Sequence, residues 1–412
     1  MPVSLGGSNC VHCLMLADDN VTMAESRQGL QDKINALADY FDLNDLIVNL
    51  SKTKVMVFRR GGSVSRKDKL YYKGQLIEIV NTYTYLGIVM SYTGVFKQAC
   101  KDRMSKARSA LGSALSLCSN ANIYSWFGRT KLFDSIVVNS LLYAAPIWCL
   151  CYLDDIEIIQ TNFLKRSLCL PVCTTNYVLR CETGRVPLKC YVFSNLMKFL
   201  LSILKMGNNR LVRTCYNRLF YLDRPDDTTR TERRHARYNW VTLVRLLLED
   251  IGFTDLWESQ DPVLLEDKLS EICLAYRNRC RDLDISSLIT STSNPLYFLT
   301  WSRWHTAKYL LYHLPFSFKS LVAQVRLNSR RLYFRGISLQ LGCDYCTFCD
   351  SLCEMSLDHV LLKCRVLADQ RSKCSLLSSL SFSHLLVSNS SADEVEIRSL
   401  CYYLIKVLKM CG

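Results

Sequence analysis

Two groups of side chains in this sequence have the types and the spacing to do chemistry. The first is Asp18-Asp19, which comes after the apolar run 11–16. An apolar run followed by turn-type residues predicts a β-hairpin, here with both carboxylates at its tip. Carboxylate oxygens are the hard ligands that Mg²⁺ prefers, so the pair is a candidate magnesium site. Adjacent aspartates also occur in ordinary polar turns, and the pair alone leaves both interpretations open.

The second group has the spacing C-x2-C-x9-H-x4-C and consists of Cys346, Cys349, His359 and Cys364. Three thiols and an imidazole are suitable ligands for tetrahedral Zn²⁺. Four protein ligands leave no open coordination position, so the predicted zinc is structural. Cys343 and Cys353 lie close by and are alternative ligands, and packed thiols without any metal are the competing interpretation.

Strands and one helix are expected to position the aspartate pair. Apolar residues with helical spacing predict a helix, and these are Leu30, Ile34, Leu37 and Phe41. Strands are predicted at 54–58 and 83–90, with a hairpin around Lys73-Gly74 between them. Beyond about residue 93 the apolar spacing becomes helical, and strand-like alternation is rare. The predicted fold class is therefore α+β.

The C-terminal part of the chain shows linkers and a final helix. Runs of turn-type residues at 224–229 and 286–295 predict two linkers. Ser391 and Glu394 have the spacing of a capping box that opens the last helix. The apolar face of that helix is formed by Ile397, Leu400, Cys401, Leu404, Ile405 and Leu408.

Composition limits the class of protein. The chain has 412 residues, 49% of them hydrophobic and 21% charged, which excludes a disordered chain. Its 51 Lys and Arg against 37 Asp and Glu give a net charge of +14, which favours polyanionic partners. The 21 scattered cysteines indicate reduced thiols, hence a nuclear or cytoplasmic location. No signal peptide is recognised at the N-terminus.

One uncharged run bears on a membrane location. Residues 135–153 carry no charge, and the run approaches the length of a membrane span. Asn139, Ser140 and Pro146 interrupt it, and buried helical hairpins have the same composition. We therefore expect no membrane partner, although an interaction or membrane-associated protein that uses this run is an alternative.

Two basic segments favour nucleic acid. Between residues 285 and 343 there is no Asp or Glu. The cations of this segment are Arg303, Lys308, Lys319, Arg326, Arg330, Arg331 and Arg335. Aromatic residues lie between them, and cations with flat rings are typical of single-strand binding. The competing interpretation is a helical domain with a solvated basic face.

A second basic face on a predicted helix comprises Lys97, Lys101, Arg103, Lys106 and Arg108.

Three ordered segments resemble a known family. They are Leu16-Ala17-Asp18-Asp19, the run 49–58 with the sequence NLSKTKVMVF, and Tyr85-Leu86-Gly87. This order resembles the reverse transcriptases of LINE-type (non-LTR, jockey-like) retrotransposons, which carry a Y/F-A-D-D box, an N-x-x-K-T-x-x-M-x-F segment and a Y-L-G segment. Further likenesses are 141–148 to the family's L-L-Y-G-x-E-x-W, 182–188 to its E-x-G-x-x-P-L and 356–364 to its C-terminal zinc knuckle.

The resemblance implies a fold and a division into domains. It implies a partial right-hand polymerase palm at 1–92, with the ADD hairpin, a helix and strands. A helical thumb at 93–180 and a helical C-terminal region at 181–342 follow. A small zinc knuckle at 343–366 and a helical tail at 367–412 complete the chain.

The resemblance also implies an activity, which is RNA-directed DNA synthesis with Mg²⁺, deoxynucleoside triphosphates, an RNA template and a DNA primer. Asp18 is then the essential metal ligand and Asp19 the more dispensable one. With the missing part of the palm supplied, Lys52 is the candidate for protonating the departing pyrophosphate, and a solvated lysine at a strand edge is the competing interpretation. Tyr85, Leu86 and Gly87 form the primer grip. The basic thumb helix tracks the template–primer duplex, and a solvated helix face is the competing interpretation.

Two departures from the family pattern change the expected function. Leu16 replaces the aromatic residue before Ala-Asp-Asp. The family places its fingers, its first metal-binding aspartate and a Q-G-x-x-x-S-P box upstream, whereas seventeen residues precede Asp18 here. We therefore expect a fragment or decayed copy that is inactive alone, and that uses deoxynucleoside triphosphates only if the palm is completed. The alternative is a non-enzymatic nucleic-acid-binding protein that uses the basic thumb and the zinc knuckle.

Overall fold

The computed structural model describes residues 3–6, 9–59, 61–65, 68–223, 239–290, 305–349, 352–374, 376–377 and 393–410. The chain is α+β and mostly helical, with small sheets, as the sequence predicts. It divides into two compact units, which comprise Met1–Asp102, Ala144–Tyr152 and Asn195–Ser270 in one, and Arg103–Tyr143, Leu153–Ser194 and Glu271–Gly412 in the other. Each unit combines segments that are distant in sequence, whereas the five predicted domains follow one another along the chain.

The N-terminal strands pair two by two. Antiparallel pairs join β1 (Val3–Gly6) to β2 (Asn9–Val11), β3 (Cys13–Leu16) to β4 (Asp19–Thr22), β6 (Tyr71–Tyr72) to β7 (Gln75–Leu76) and β9 (Thr82–Tyr85) to β10 (Ile88–Ser91). A parallel pair joins β5 (Lys54–Val55) to β8 (Glu78–Ile79). The predicted hairpins at Asp18-Asp19 and Lys73-Gly74 are both confirmed.

Two strand predictions need correction. The strand predicted at 54–58 is limited to Lys54–Val55. The single strand predicted at 83–90 is a hairpin, because Leu86 and Gly87 both have positive φ, 46° and 77°, and so form its turn. Two consecutive positive φ angles match the right-handed twist of the flanking strands.

The helix α1 (Arg27–Leu43) packs on these strands. Its N-cap is Ser26, whose side chain accepts a hydrogen bond from the Gly29 N–H. Ile34 is buried in a small core with Val55, Leu70 and Ile77. The predicted helix is therefore confirmed, and its apolar stripe is what holds the short strands in place.

Helices dominate the middle of the chain. They are α2 (Lys97–Asn120), α3 (Trp126–Leu132), a π-helix (Phe133–Val138), α4 (Asn139–Leu141), α5 (Ala145–Trp148), a 3₁₀ helix (Leu150–Tyr152), α6 (Leu153–Ser167), α7 (Asn176–Thr183), α8 (Leu188–Leu204) and α9 (Leu211–Asp223). The uncharged run 135–153 is thus a series of short helical pieces. Ala144 with φ 53° and Pro146 at the start of α5 interrupt it.

A span across a membrane is not supported by any one helix in the part of the chain that the structure describes. The helices α7 and α8 reach the required length and apolarity only as a pair, and the pair is bent by 77°.

Three further helices lie between residues 239 and 290. They are α10 (Trp240–Glu249), α11 (Thr254–Ser259) and α12 (Pro262–Ile289). The linker predicted at 286–295 is wrong in its first part, because helical residues continue to Ile289. The rest of that linker, the linker predicted at 224–229 and Arg303 lie outside the described residues.

The C-terminal elements share one core. They are α13 (Lys308–Leu311), α14 (Phe316–Arg326), β11 (Arg331–Phe334), β12 (Ile337–Gln340), a π-helix (His359–Lys363), α15 (Ala368–Ser372) and α16 (Glu394–Lys409). The core joins Leu321 of α14, Leu332 and Leu339 of the hairpin, and Leu404 of α16 to the buried Cys364. We call residues 305–410 the C-terminal module.

Two details of this module differ from the prediction. The region up to residue 342 is not purely helical, because β11 and β12 form an antiparallel hairpin whose turn is Arg335-Gly336, with φ of 46° and 95°. The capping box of the last helix consists of Asp393 and Glu396, which bond reciprocally; Ser391 lies outside the described residues. The apolar face of this helix is buried at Ile397, Leu400, Cys401, Leu404 and Leu408, as predicted, and Ile405 is partly buried.

Candidate metal centre

A loop and a helical turn bring the Cys/His group together. Cys346 and Cys349 lie in the loop after β12. Two backbone hydrogen bonds fix this loop: Gly342 N–H donates to the Met355 carbonyl over 2.9 Å, and Met355 N–H donates to the Cys343 carbonyl over 2.8 Å. The loop is therefore closed on itself before the chain reaches the second pair of ligands.

The second pair lies at the two ends of one wide helical turn. His359 begins the π-helix, and Cys364 follows its last residue, with its N–H donating to the His359 carbonyl over 2.7 Å. The Tyr403 hydroxyl of α16 donates to the Val360 carbonyl over 2.6 Å, and Arg371 donates to the carbonyl of Cys364. Side chains from two other elements thus hold the turn that carries both ligands.

The four ligand atoms have the separations of a tetrahedral site. All lie within 4.8 Å of one another, with 4.0 Å between the sulfurs of Cys346 and Cys364 and 3.6 Å between Cys349 Sγ and His359 Nε2. Zinc bond lengths imply sulfur–sulfur separations of about 3.8 Å and sulfur–nitrogen separations of about 3.5 Å in a tetrahedron. The cluster could hold a structural metal such as zinc, as the spacing predicts.

Cys353 is a neighbour of this group, and the sequence names it as an alternative ligand. Its sulfur lies 3.5 Å from His359 Nδ1 and 3.8 Å from His359 Nε2. It therefore faces the same ring, while Cys349 is the residue whose sulfur joins the group of four. Cys343, the other alternative, contributes its backbone carbonyl to the loop closure.

Burial and neighbouring thiols shape the electrostatics of the site. Cys346 and Cys364 are fully buried, whereas Cys349 and His359 are partly exposed. Burial, together with the nearby Cys346, raises the pKa of the Cys364 thiol to about 11. Burial likewise raises the pKa of Cys353, and Cys349 and Cys346 add to the effect. Metal binding requires thiolates, so a dication would have to displace these protons.

The aspartate pair has a different environment. Asp18 and Asp19 are both exposed at the tip of the β3–β4 hairpin, where Leu16 pairs with Asp19 and Ala17 has φ 52°. Among the described residues, three or more possible metal ligands come together at the Cys/His cluster. Asp18 and Asp19 belong to no such group. A magnesium site at Asp18 and Asp19 is therefore unsupported.

The other residues expected at the polymerase site lie on neighbouring turns. Lys52 is exposed, and its carbonyl accepts a hydrogen bond from the Tyr83 hydroxyl over 3.2 Å. Tyr85 ends β9, and Leu86-Gly87 forms the exposed turn after it. The structure therefore connects the Lys52 turn to the predicted primer-grip hairpin through Tyr83.

The basic face of α2 is less extensive than predicted. Lys101, Lys106 and Arg108 are exposed. Arg103 is buried; its guanidinium lies 4.7 Å from the ring centroid of Tyr143 and donates to the Ser140 carbonyl over 3.4 Å. Arg103 is thus a packing residue and not part of an exposed basic face.

The cations of the C-terminal module divide into two groups. Lys308, Arg330, Arg331 and Arg335 are exposed. Arg326 and Lys319 are buried, and each bonds to internal partners. The prediction that these two residues bind phosphate is therefore wrong. Lys319 Nζ donates to the Leu310 carbonyl over 2.7 Å and to the Tyr124 carbonyl over 3.1 Å. Burial lowers the pKa of Lys319 to about 8, and Arg129 acts in the same direction.

Sequence reasoning missed the partner of Arg326. Its guanidinium donates to both carboxylate oxygens of Glu182, over 2.7 and 3.1 Å, and Glu182 is fully buried. The Glu182 carbonyl also accepts from Ala307 N–H over 2.9 Å. The E-x-G-x-x-P-L likeness was the available signal, but the pairing joins residues far apart in sequence. We call this arrangement the Glu182 latch.

Gly184 completes the Glu182 latch. It has φ 68°, and a Cβ at this position would lie 2.5 Å from the backbone nitrogen of Thr306. Only glycine permits this close approach of two backbone segments. Thr306 Oγ1 also donates to the Thr183 carbonyl over 3.2 Å.

Comparison with known proteins adds no further constraint on these residues. No protein-family model, no curated protein and no solved structure matches the chain significantly.

Proposed function

We propose that this chain is the C-terminal part of a non-LTR retrotransposon reverse transcriptase and does not polymerise by itself. The observation that carries the proposal is the exposed Asp18-Asp19 pair at the turn of an antiparallel hairpin. Its support is the order of the other likenesses, from the Lys52 segment through Tyr85-Leu86-Gly87 to the Cys/His cluster. Mg²⁺ and deoxynucleoside triphosphates belong to the parent activity.

The lack of activity follows from the chemistry of the site. Two-metal phosphoryl transfer needs carboxylates from separate places to bridge both ions. In the ranges that the structure describes, Asp18 and Asp19 form no group with a third possible ligand. One exposed pair therefore cannot position two ions and a triphosphate.

The second candidate function is non-enzymatic binding of nucleic acid in the nucleus or cytoplasm. It is favoured by the exposed Arg330, Arg331 and Arg335 on the β11–β12 hairpin. The inward residues Leu332 and Leu339 of the same hairpin share a core with Cys346. A zinc-stabilised core would therefore hold three guanidinium groups at one hairpin, where phosphates of RNA or DNA can be neutralised.

Primer extension tests the polymerase proposal. The full chain is incubated with Mg²⁺, deoxynucleoside triphosphates, an RNA template and an annealed DNA primer, beside Asp18→Ala. We expect no extension by either protein. Extension by the unmodified chain that Asp18→Ala abolishes would contradict the proposed inactivity.

A salt titration of binding to single-stranded RNA tests the second candidate. Replacing Arg330, Arg331 and Arg335 with Ala removes three cations, and each phosphate contact contributes about 0.7 to the slope of log affinity against log salt. We expect the slope to fall by about 2. The matched control replaces the exposed Lys406 and Lys409 of α16 with Ala and keeps the slope. Equal slopes for both variants would contradict binding at the hairpin.

A further inference from the structure

A further metal-ligating side chain lies against the Cys/His cluster. The sulfur of Cys353 is 3.5 Å from His359 Nδ1 and 3.8 Å from His359 Nε2. On the same ring, the sulfur of Cys349 lies 3.6 Å from Nε2. Two thiols therefore contact the imidazole of the cluster at similar distances, and Cys349 is the one that belongs to the group of four.

The contact between Cys353 and His359 differs from the usual hydrogen bond behind a metal-binding histidine. Such a histidine binds the ion through one ring nitrogen and donates the N–H of the other to an acceptor. A sulfur in line with the Nδ1–H bond would lie much farther from Nε2 than from Nδ1. The Cys353 sulfur is almost equally distant from both nitrogens, so it does not lie at the end of either N–H bond.

The outer side of the cluster has more ligands than a tetrahedral ion needs. Cys346 and Cys364 are fully buried, whereas Cys349, Cys353 and His359 are partly exposed. An ion bound by the two buried thiolates needs two further ligands. Three side chains are available for these two positions.

The backbone holds Cys353 beside the cluster and leaves its side chain room to move. The N–H of the buried Met355, two residues later, donates to the Cys343 carbonyl over 2.8 Å. Leu352, the residue before Cys353, is 98% exposed and so has almost no packing. A short displacement of the Cys353 sulfur therefore does not require the core to open.

We propose that Cys353 is a reserve ligand, which replaces His359 when the cluster holds a thiophilic ion such as Cd²⁺. The ligand set then changes from three thiolates and an imidazole to four thiolates. In this exchange the Cys353 sulfur binds the ion, His359 Nε2 leaves it, and the thiol proton passes to the freed Nε2, 3.8 Å away. No electron is transferred. Soft ions favour thiolate ligands, whereas zinc accepts thiolate and imidazole alike, so the ion decides between the two sets.

The proposal rests on the Cys/His cluster as a metal centre and does not depend on the polymerase ancestry. With zinc, His359 remains a ligand, so Cys353→Ser should keep its zinc. With Cd²⁺, Cys353 supplies the fourth thiolate.

Exchange of zinc for cadmium in the full chain tests the proposal. One equivalent of Cd²⁺ replaces the zinc, and the sulfur-to-cadmium charge-transfer absorbance reports the number of bound thiolates. We expect four thiolates in the unmodified chain and three in Cys353→Ser, with a proportionate loss of absorbance. The matched control Cys343→Ser changes a partly exposed cysteine of the same loop and should keep all four. Equal absorbance of the unmodified chain and Cys353→Ser would overturn the proposal.

Removal of the histidine provides the second readout, with Co²⁺ as the probe. In His359→Ala, Cys353 should complete a four-thiolate site and shift the Co²⁺ absorbance to longer wavelength. Adding Cys353→Ser leaves three ligands. The Co²⁺ affinity should then fall by more than about 100-fold, because even the loss of an outer partner of a ligand costs about 10–100-fold. Adding Cys343→Ser instead is the control and should leave the affinity of His359→Ala unchanged. Equal affinities of the two double variants would overturn the proposal.

The two possible failures are distinguishable. If the unmodified chain binds neither Cd²⁺ nor Co²⁺, the metal centre itself is wrong, and the reserve ligand is overturned with it. If both ions bind and Cys353→Ser changes neither the absorbance nor the affinity, the metal centre stands and the reserve ligand alone is overturned.

Discussion

The Cys/His cluster and the Asp18-Asp19 hairpin are both motifs whose residues lie close together in the sequence. Their surroundings in the fold differ. Cys346 and Cys364 are fully buried in a core that five elements of the C-terminal module build together. The two aspartates lie at an exposed hairpin tip. A spacing motif becomes a site only where the fold brings its separate segments together, and in this chain that happens at the C-terminus.

The cores beneath the two motifs differ in the same way. The strands near α1 bury a cluster of four residues: Ile34, Val55, Leu70 and Ile77. Large apolar side chains nearby remain exposed, including Ile47 at 98% and Leu43 at 84%. The C-terminal module buries its apolar residues around the ligands. Substitutions at the Cys/His cluster should therefore cost much more stability than substitutions at the aspartate pair.

Removing a metal ligand should have the largest effect. Cys364→Ser leaves the buried thiol Cys346 without its neighbour in the cluster, so zinc is lost and the C-terminal module unfolds. We expect more than about 4 kcal/mol of destabilisation, since ligand binding and folding are coupled. Guanidinium titration of the zinc-loaded chain measures it. The control Cys374→Ala removes a buried thiol of the same core and should cost only about 1 kcal/mol with zinc retained.

Breaking the Glu182 latch should have the next largest effect. Arg326→Met leaves the fully buried Glu182 carboxylate without its cation, and an uncompensated buried charge costs about 3–5 kcal/mol. Urea unfolding measures the loss. Arg330→Met is the control, because Arg330 is exposed and should change stability little. An equal loss of unfolding free energy in both variants would contradict a stabilising role for the buried Glu182–Arg326 ion pair.

Gly184 offers a test of the same latch through its backbone. Gly184→Ala places a methyl group 2.5 Å from the Thr306 nitrogen in a backbone with positive φ, so we expect a loss of about 2–4 kcal/mol. Gly112 lies within α2 and has open space around it. Gly112→Ala should therefore stabilise the protein by about 0.5–1 kcal/mol. Thermal unfolding of both variants compares them, and the same sign for both would contradict the close approach at Gly184.

The aspartate pair should show the smallest effect. Asp18→Asn combined with Asp19→Asn changes exposed side chains at a hairpin tip, so stability should change by less than about 0.5 kcal/mol. Added Mg²⁺ should raise the unfolding midpoint of neither protein. A midpoint that rises with Mg²⁺ only in the unmodified chain would reveal a third ligand and remove the contrast between the two motifs.

Local patterns predicted local structure well. The turn after residue 16, the helix around Ile34 and the apolar face of α16 each depend on neighbours in sequence, and all are confirmed. The four-ligand cluster was also predictable, because its ligands lie within nineteen residues.

What could not be predicted depends on distant residues or on turn geometry. The Glu182–Arg326 pair joins residues that no spacing rule connects. In sequence Arg326 has the pattern of a phosphate ligand, whereas in the fold its guanidinium bonds to the buried Glu182. The β11–β12 hairpin was missed because its turn, Arg335-Gly336, carries a single weak signal within a segment of helical spacing.

Zinc content of the purified full chain tests the central claim most directly. We expect one zinc per chain by atomic spectroscopy. Cys349→Ser should lose the metal and Cys353→Ser should retain it, because Cys349 is the one whose sulfur joins the group of four. A chain that folds stably without zinc, or one that keeps zinc after Cys364→Ser, would contradict a metal-stabilised C-terminal module.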